Sequence, residues 1–169
     1  SRGLGDVYKR QTYISGLDTH RYGELLQNHK LFISVGHDEY WSAGARDHLD
    51  AWVDGGGHLA RLAGNFLWQT RISDDGLTQT CYKYAAPEDD PVVGTKDAHQ
   101  ISTCWDLPEI GRKGALTMGV TGTRGCYAGW GGWSPRSSGG FTVYRPENWV
   151  FEGTDLYFGD VFGAQAQIA

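Results

Sequence analysis

The sequence predicts an α/β fold with a doubly wound, mostly parallel sheet, followed by an irregular β-rich continuation. The run Leu31-Phe32-Ile33-Ser34-Val35 is almost continuously apolar and has the length of one strand. Such a run is typical of a strand that is buried on both faces of a parallel sheet. Strand-like and helix-like segments alternate around it, and parallel strands joined through helices form right-handed crossovers. These observations predict the order βαβαβ for the first half of the chain.

The elements that flank the apolar run are predicted from local signals. Residues 12–15 are short and β-prone, and Asp18 or Thr19 can cap a helix that ends near residue 28. Ser42 is placed to cap the next helix, which three consecutive glycines end at 55–57. In that helix the apolar side chains at 49, 52 and 53 lie on one face, as expected of a helix that packs against a sheet.

Residues 58–63 follow as the third predicted strand. The second half differs, because short β-like pieces at 80–84, 116–120 and 141–144 alternate with glycine-rich segments. The stretch 125–140 is a loop by composition. We therefore expect an irregular continuation of the sheet rather than further regular crossovers.

The length and composition favour one globular domain without a nucleic-acid or membrane partner. The chain has 169 residues and a formal charge of −5, so it lacks the basic surface that neutralises phosphates. No apolar run reaches the roughly 18 residues that a bilayer-spanning helix requires. Three widely spaced cysteines indicate neither a zinc site nor a disulfide framework.

The first residues of the chain are set apart from the predicted domain. Residues 1–11 show neither alternation nor caps and resemble translated adapter sequence, with a native mobile terminus as the alternative. We expect 12–169 to form a single, partial domain.

The motif Gly36-His37-Asp38-Glu39-Tyr40-Trp41-Ser42 carries the chemistry. It follows the buried strand, and ligands of open α/β sheets bind at the carboxyl ends of strands. If the strand continues, His37 and Glu39 share a face with Cα atoms about 6.6 Å apart. One imidazole and one carboxylate suit iron or zinc better than magnesium. The alternatives are a strand-end histidine with a structural partner and an acidic residue that caps the helix.

The sequence around this motif resembles one family, the C-terminal domain of the large subunit of N,N-dimethylformamidase. The resemblance covers about 12–163 and centres on residues 26–42, which contain the motif above. It continues in further short segments: 13–18, 55–60, 64–65, Trp68, Arg71, 81–83, 90–91, 144–146, 149–154 and 159–163.

This resemblance implies a three-layer α/β fold similar to class I glutamine amidotransferases and flavodoxin. It also implies a mononuclear, ferric iron, with zinc less suited, that hydrolyses small N-substituted formamides through a metal-activated water. The family's histidine and glutamate match His37 and Glu39, while its tyrosine ligand is expected upstream of this chain. A supporting amide matches Asn65, although an αL turn or a helix cap explains an asparagine there equally well. Arg61 stands where relatives carry an apolar residue.

The resemblance also bears on assembly and activity. It implies a homo-oligomer or a small partner subunit, and a small amide as the substrate. We expect activity of the full-length parent and none of this chain alone. A noncatalytic carbohydrate- or protein-binding module stays open, because Trp130 and Trp133 on the glycine-rich loop could stack on a ligand. A thiol hydrolase is disfavoured, since it needs a cysteine where this chain has His37-Asp38-Glu39.

The remaining charged residues are interpreted as structural. The negative charge of Asp38 is expected to interact favourably with the dipole of the following helix, and residues 88–90 are expected to form a solvated turn. Arg71 and Lys83 could bind an anionic group of the substrate or be solvated. The other histidines are expected at the surface or at caps: His20, His29, His48, His58 and His99.

Overall fold

The computed structural model describes residues 11–119 and 140–163. The chain divides into two compact units, residues 1–126 and 127–169. It is a mixed α/β protein with small sheets, some of them parallel. The helices are α1 Gly16–Arg21, α2 Ala43–Asp54, α3 Ala86–Asp89 and α4 Ala115–Met118, and 3-10 turns cover Gly23–Asn28, Lys83–Ala85, Ala98–Gln100 and Trp149–Phe151. The strands are β1 Leu31–Gly36, β2 Tyr40–Ser42, β3 His58–Ala63, β4 Trp68–Ile72, β5 Gln79–Thr80, β6 Phe141–Thr142 and β7 Val161–Phe162.

Two of the three predicted parallel strands form as expected. β1 pairs in parallel with β3, from Leu31 opposite His58 to Gly36 opposite Ala63, and α2 is the crossover between them. The Ser42 side chain accepts a hydrogen bond from the Ala45 amide, so it caps α2 as predicted.

The predicted strand at 12–15 is wrong. Ser15 instead begins α1, because its hydroxyl accepts the Asp18 amide while the Asp18 carboxylate accepts the Ser15 amide. This capping box commits the chain to a helix that starts at Gly16, with Asp18 inside it rather than before it. The helix also ends earlier than predicted, since Gly23 starts a separate 3-10 turn. A Cβ on Gly23 would lie 2.2 Å from the His48 ring, so the close approach requires glycine.

The prediction that β1 is buried on both faces is wrong. Leu31, Ile33 and Val35 are 48%, 52% and 64% exposed, whereas Phe32 and Ser34 face the core side. The helix α2 contributes to a core that packs against one face of the sheet only. A cavity of about 1610 Å³ runs along β1 and is also lined by residues 11–19 and 76–79. The outer face of β1 is therefore a large apolar surface within the part of the chain that the structure describes.

The loop 37–39 of the motif follows the carboxyl end of β1, as predicted, whereas residues 40–42 of the motif form a further short strand. After β1 the chain resumes as β2, which pairs in parallel with β4 from Tyr40 opposite Trp68 to Ser42 opposite Thr70. β4 then pairs in antiparallel with β5. Two short loops, 37–39 and 64–67, thus interrupt the same pair of strands at the same level.

The core is aromatic and centres on α2. Leu49 and Trp52 of the predicted stripe are buried, but Val53 is 37% exposed. Trp41 of the motif contacts Phe66 edge to face at 5.6 Å between ring centroids. The buried cluster consists of Leu26, Trp41, Ala45, Leu49, Trp52, Phe66 and Trp105.

A buried arginine ties the later part of the first unit to α2. Arg46 is fully buried, and its guanidinium lies 4.5 Å from the Trp105 ring centroid. It donates hydrogen bonds to the carbonyl oxygens of Arg112 and Lys113 and to the Thr117 hydroxyl. Burial lowers the pKa of this guanidinium to about 10, so it stays charged at neutral pH.

The short strands predicted in the second half form only in part. The first is limited to β5, because the amides of Tyr82 and Lys83 both turn to the Ser102 carbonyl. Residues 115–118 form the single helical turn α4, which ends at Gly119 with φ of 71°. The prediction of a strand there is wrong, and Val120 lies outside the described residues.

The second unit contains the third of these predicted strands. β6 pairs in antiparallel with β7, so a two-residue strand forms within the predicted 141–144. The Phe162 ring contacts the rings of Phe141 and Phe151 at 5.6 and 5.9 Å between centroids. No helix in the described ranges is long and apolar enough to cross a bilayer.

The interpretation of residues 88–90 as a solvated turn is wrong for Asp90. Its carboxylate is buried and accepts hydrogen bonds from the Arg71 guanidinium at 2.7 Å and from the Ser102 amide and hydroxyl at 2.8 Å. Burial alone would raise the pKa of Asp90, but these hydrogen bonds outweigh it and lower the pKa to about 2. Arg71 is therefore a structural partner of Asp90 rather than a solvated charge.

Acid should weaken this ion pair in a defined range. Because the pKa of Asp90 is lower in the folded chain than its ordinary 3.8, its contribution is complete above pH 4 and is lost as the pH falls towards 2. We expect Asp90→Asn to lower the free energy of unfolding by about 2 kcal/mol at pH 7 and to flatten its decline between about pH 4 and pH 2. Urea unfolding at several pH values measures both effects. Asp89→Asn, at an exposed position, is the control, and an unchanged acid decline in Asp90→Asn would contradict the assignment.

Candidate functional site

The candidate site is built on the two loops that interrupt the parallel strands. The Gly64 amide donates to the Gly36 carbonyl at 3.1 Å, and the Trp68 amide donates to the Glu39 carbonyl at 3.1 Å. These bonds hold the loops 37–39 and 64–67 side by side. Gly36 has a φ of 72°, which a residue with a side chain rarely adopts, so the glycine allows β1 to turn into the first loop.

Arg61, whose role the sequence left unexplained, joins the two loops. Its guanidinium donates to the carbonyl oxygens of Asp38, Gly64 and Asn65 at 3.1, 3.0 and 2.7 Å. It also donates to the Ser34 hydroxyl at 2.8 Å. Burial lowers the pKa of Arg61, while the Asp38 carboxylate acts in the opposite direction. One buried cation therefore satisfies main-chain oxygens on both loops, which an apolar residue could not do.

Asp38 serves this network rather than the helix dipole, which corrects the prediction. Its carboxylate accepts a 2.5 Å hydrogen bond from the Ser34 hydroxyl and lies 3.6 Å from the Arg61 guanidinium. Its carbonyl oxygen accepts a bond from the Trp41 indole at 3.1 Å. With both the side chain and the carbonyl of Asp38 fixed, the residues on either side of it have defined positions.

Those neighbours are His37 and Glu39, the two predicted metal ligands. His37 is exposed and Glu39 is half-buried. Neither side chain forms a hydrogen bond or an ion pair with any residue that the structure describes, which leaves their nitrogen and oxygen atoms available to a ligand. The described ranges contain no group of three or more histidine, cysteine or carboxylate side chains arranged to hold a metal.

Asn65 lies in the second loop and is 8% exposed. Its φ is not positive, and no described helix begins or ends beside it, so neither the αL turn nor the helix cap applies. The main-chain carbonyl oxygen of Asn65 accepts the shortest of the Arg61 hydrogen bonds, at 2.7 Å. The structure thus places Asn65 on the loop that faces 37–39, within the same hydrogen-bonded unit.

Lys83, which the sequence left open as an anion-binding or a solvated residue, lies next to the first loop. Its Nζ is 4.9 Å from the Tyr40 ring centroid and 5.5 Å from that of Trp68. The neighbouring Tyr40 side chain outweighs burial and, with the negative charge of Glu39, raises the pKa of the Lys83 ammonium. The contacts of Lys83 with Tyr40 and Trp68 are long-range, so the sequence did not indicate them.

The backbone of Lys83 is strained. Lys83 alone among the described non-glycine residues has a positive φ, 54°. This conformation costs about 1–2 kcal/mol, whereas a cation–π contact at a partly exposed site returns about 0.5–1 kcal/mol. Hydrogen bonds to the Ser102 carbonyl and from the Thr103 hydroxyl hold the residue in place.

Two histidines outside the motif have structural roles that the sequence assigned only in general terms. The His20 ring forms a 2.8 Å hydrogen bond with the Ser42 hydroxyl, and the His48 ring forms one of 2.8 Å with the Thr19 carbonyl. Burial, with the nearby His48 and Arg21, lowers the pKa of His20. Trp130 and Trp133, on which the binding-module interpretation depended, lie outside the described residues.

Replacement of Arg61 should release both loops together. Arg61→Met keeps much of the side-chain volume but leaves the Asp38 carboxylate and three carbonyls without their partner, so we expect a loss of about 3 kcal/mol in the free energy of unfolding. Hydrogen exchange at 37–39 and 64–67 should accelerate in parallel. Arg21→Met, at an exposed guanidinium that bonds the Asp74 carbonyl, is the control. Loss of protection in one loop alone would show that Arg61 does not couple them.

Comparisons with known proteins agree with the resemblance in the sequence. The family described as N,N-dimethylformamidase beta subunit-like, C-terminal, matches residues 9–168. No curated protein and no solved structure gives a significant match. Because the family match spans nearly the whole chain, it includes both loops and Lys83. The chain therefore belongs to the N,N-dimethylformamidase beta subunit-like, C-terminal family.

Proposed function

We propose that the full-length protein is a metal-dependent amidohydrolase that cleaves the C–N bond of small N-substituted formamides. Family membership supplies the reaction class. The observation that carries the proposal for this chain is the loop 37–39, on which an imidazole and a carboxylate stand unengaged beside a fixed Asp38. Free donor side chains on a rigid loop are what a metal site requires before it binds the ion.

His37 and Glu39 are the ligands that this chain contributes in the proposal. Their nitrogen and oxygen donors suit iron or zinc, and the family resemblance favours a mononuclear ferric iron over zinc. A tyrosine upstream of this chain is proposed as the third protein ligand, as the resemblance implies. The described residues bring no third histidine, cysteine or carboxylate to this pair. The bound metal would supply a water of lowered pKa and polarise the carbonyl of the substrate.

The remaining residues of the site have supporting roles. Arg61 and Asp38 hold the two loops together, so that the spacing between 37–39 and Asn65 is set before substrate binds. Asn65 is the proposed catalytic amide, positioned to orient the substrate or the water. The half-exposed ring of Tyr40 offers an apolar surface that suits a small N-alkyl group.

The exposed outer face of β1 supports a proposal about the architecture. A three-layer, amidotransferase-like fold would cover Leu31, Ile33 and Val35 with a further layer. The same face and the cavity beside it would otherwise suit a small partner subunit or a second copy of the chain, in line with the word subunit in the family description. A small amide remains the proposed substrate.

Metal content tests the ligand assignment. We expect the full-length protein to bind about one iron and Glu39→Gln and His37→Ala each to lower its affinity at least about tenfold, because too few ligands remain. Iron is measured by elemental analysis after dialysis against a graded chelator. Glu24→Gln, on the exposed part of the 3-10 turn, is the control. Retention of stoichiometric iron by both ligand variants would end the assignment.

Hydrolysis of N,N-dimethylformamide tests the reaction class. Release of dimethylamine by the iron-loaded full-length protein should fall about a hundredfold or more in Glu39→Gln. It should fall about tenfold to a hundredfold in Asn65→Ala with iron retained. The Glu24→Gln control should keep the wild-type rate. Absence of hydrolysis by the iron-loaded wild type would reject the proposed substrate class.

A further inference from the structure

The strained Lys83 backbone is held by bonds that come from a separate segment. The Lys83 amide donates to the Ser102 carbonyl at 3.0 Å, and the Lys83 carbonyl accepts the Thr103 hydroxyl at 2.7 Å. The preceding Tyr82 amide also bonds to Ser102. Strained residues persist where the surroundings over-determine them, and they cluster at functional sites.

The fixed backbone of Lys83 sets the direction of its side chain, whose Nζ lies beside the proposed metal loop 37–39. Nζ lies near the rings of Tyr40 and Trp68, and Tyr40 directly follows Glu39. An ammonium has three N–H donors. Lys83 forms no ion pair with any described carboxylate. The donors of this cation are therefore available beside the Tyr40 ring, and Tyr40 directly follows the candidate metal ligand Glu39.

An ammonium beside an apolar ring is suited to bind an amide. The carbonyl oxygen of an amide accepts hydrogen bonds, and its N-alkyl groups are apolar. The carboxylate formed on hydrolysis is a still better acceptor for an ammonium. An unpaired ammonium near Glu39 can meet the oxygen while the Tyr40 ring meets the alkyl groups.

We propose that Lys83 is a substrate-binding residue of this site, whose Nζ donates a hydrogen bond to the carbonyl oxygen of the amide. The proposal rests on the function proposed above. When water adds to the carbonyl carbon, the C=O π pair moves onto that oxygen, and the ammonium stabilises the resulting oxyanion. Collapse re-forms the C=O bond and breaks the C–N bond, and the amine leaves with protons that the water supplied. The carboxylate product stays hydrogen-bonded to Lys83, which remains protonated throughout.

Three substitutions separate binding from a structural role. Lys83→Met keeps the apolar stem and removes the donors, Lys83→Arg keeps the charge, and Lys83→Gly removes both the side chain and the backbone strain. In the iron-loaded full-length protein we expect Lys83→Met and Lys83→Gly to lower kcat/KM for N,N-dimethylformamide about a hundredfold at unchanged iron content. Lys83→Arg should restore part of it. Lys96→Met, at an exposed lysine, is the matched control.

The melting temperature distinguishes the two roles. Lys83→Gly should melt at or above the wild-type temperature, because glycine adopts the left-handed conformation without strain. Its activity should nevertheless stay low. If Lys83→Gly and Lys83→Met retain the wild-type kcat/KM, Lys83 does not bind the substrate.

Binding of sodium formate, followed by calorimetry, separates this proposal from the proposed reaction. Formate should bind Lys83→Met about tenfold more weakly than wild type or Lys96→Met. If the wild type hydrolyses no formamide but formate binding still depends on Lys83, the reaction is wrong and the Lys83 site stands. If the Lys83 variants hydrolyse formamide and bind formate as the wild type does, the inference about Lys83 is wrong and the proposed reaction stands.

Discussion

The candidate site depends on the hydrogen bonds of one guanidinium. Arg61 is the point at which β3, the loop 37–39 and the loop 64–67 meet, and its donors satisfy carbonyl oxygens that the interrupted strands leave unpaired. A break in two neighbouring strands would normally expose these groups to water or bury them at a cost. Placing a charged, many-donor side chain inside the break solves this, and it also fixes the positions of Glu39 and Asn65 relative to each other.

Much of the first unit could be predicted because its signals are local. Ser42 and the glycines at 55–57 delimit α2, and the apolar run at 31–35 is a strand, so β1, α2 and β3 agree with the sequence. The strand predicted at 12–15 failed because the capping pair of Ser15 and Asp18 is a stronger local signal than β propensity. The burial of β1 on both faces failed for another reason. An apolar run shows only that both faces of a strand could be buried. The face formed by residues 31, 33 and 35 is exposed among the described residues.

The sequence indicated three residues of the site, namely His37 and Glu39 in the first loop and Asn65 in the second. His37 and Glu39 belong to one unusual motif, so the sequence shows them together, whereas the contacts that surround them come from distant segments. Arg61 was noticed as an oddity, and its purpose became clear only when the loop 64–67 was seen beside Asp38. The sequence left the role of Lys83 open, because its left-handed conformation is held by contacts with the distant Ser102 and Thr103. The sequence therefore shows which motif residues stand together but not what surrounds them.

The alternation along β1 has a practical consequence for handling the protein. Side chains at 31, 33 and 35 point away from the core, while those at 32 and 34 contact the core and the Arg61 network. Because neighbouring positions face opposite sides, threonine or lysine can replace the three outward residues without disturbing Ser34 or Phe32. Such a resurfaced strand would remove the apolar face on which a further layer or a partner is proposed to pack, while the Arg61 network stays intact. The period of two thus allows association through β1 to be altered separately from the candidate site.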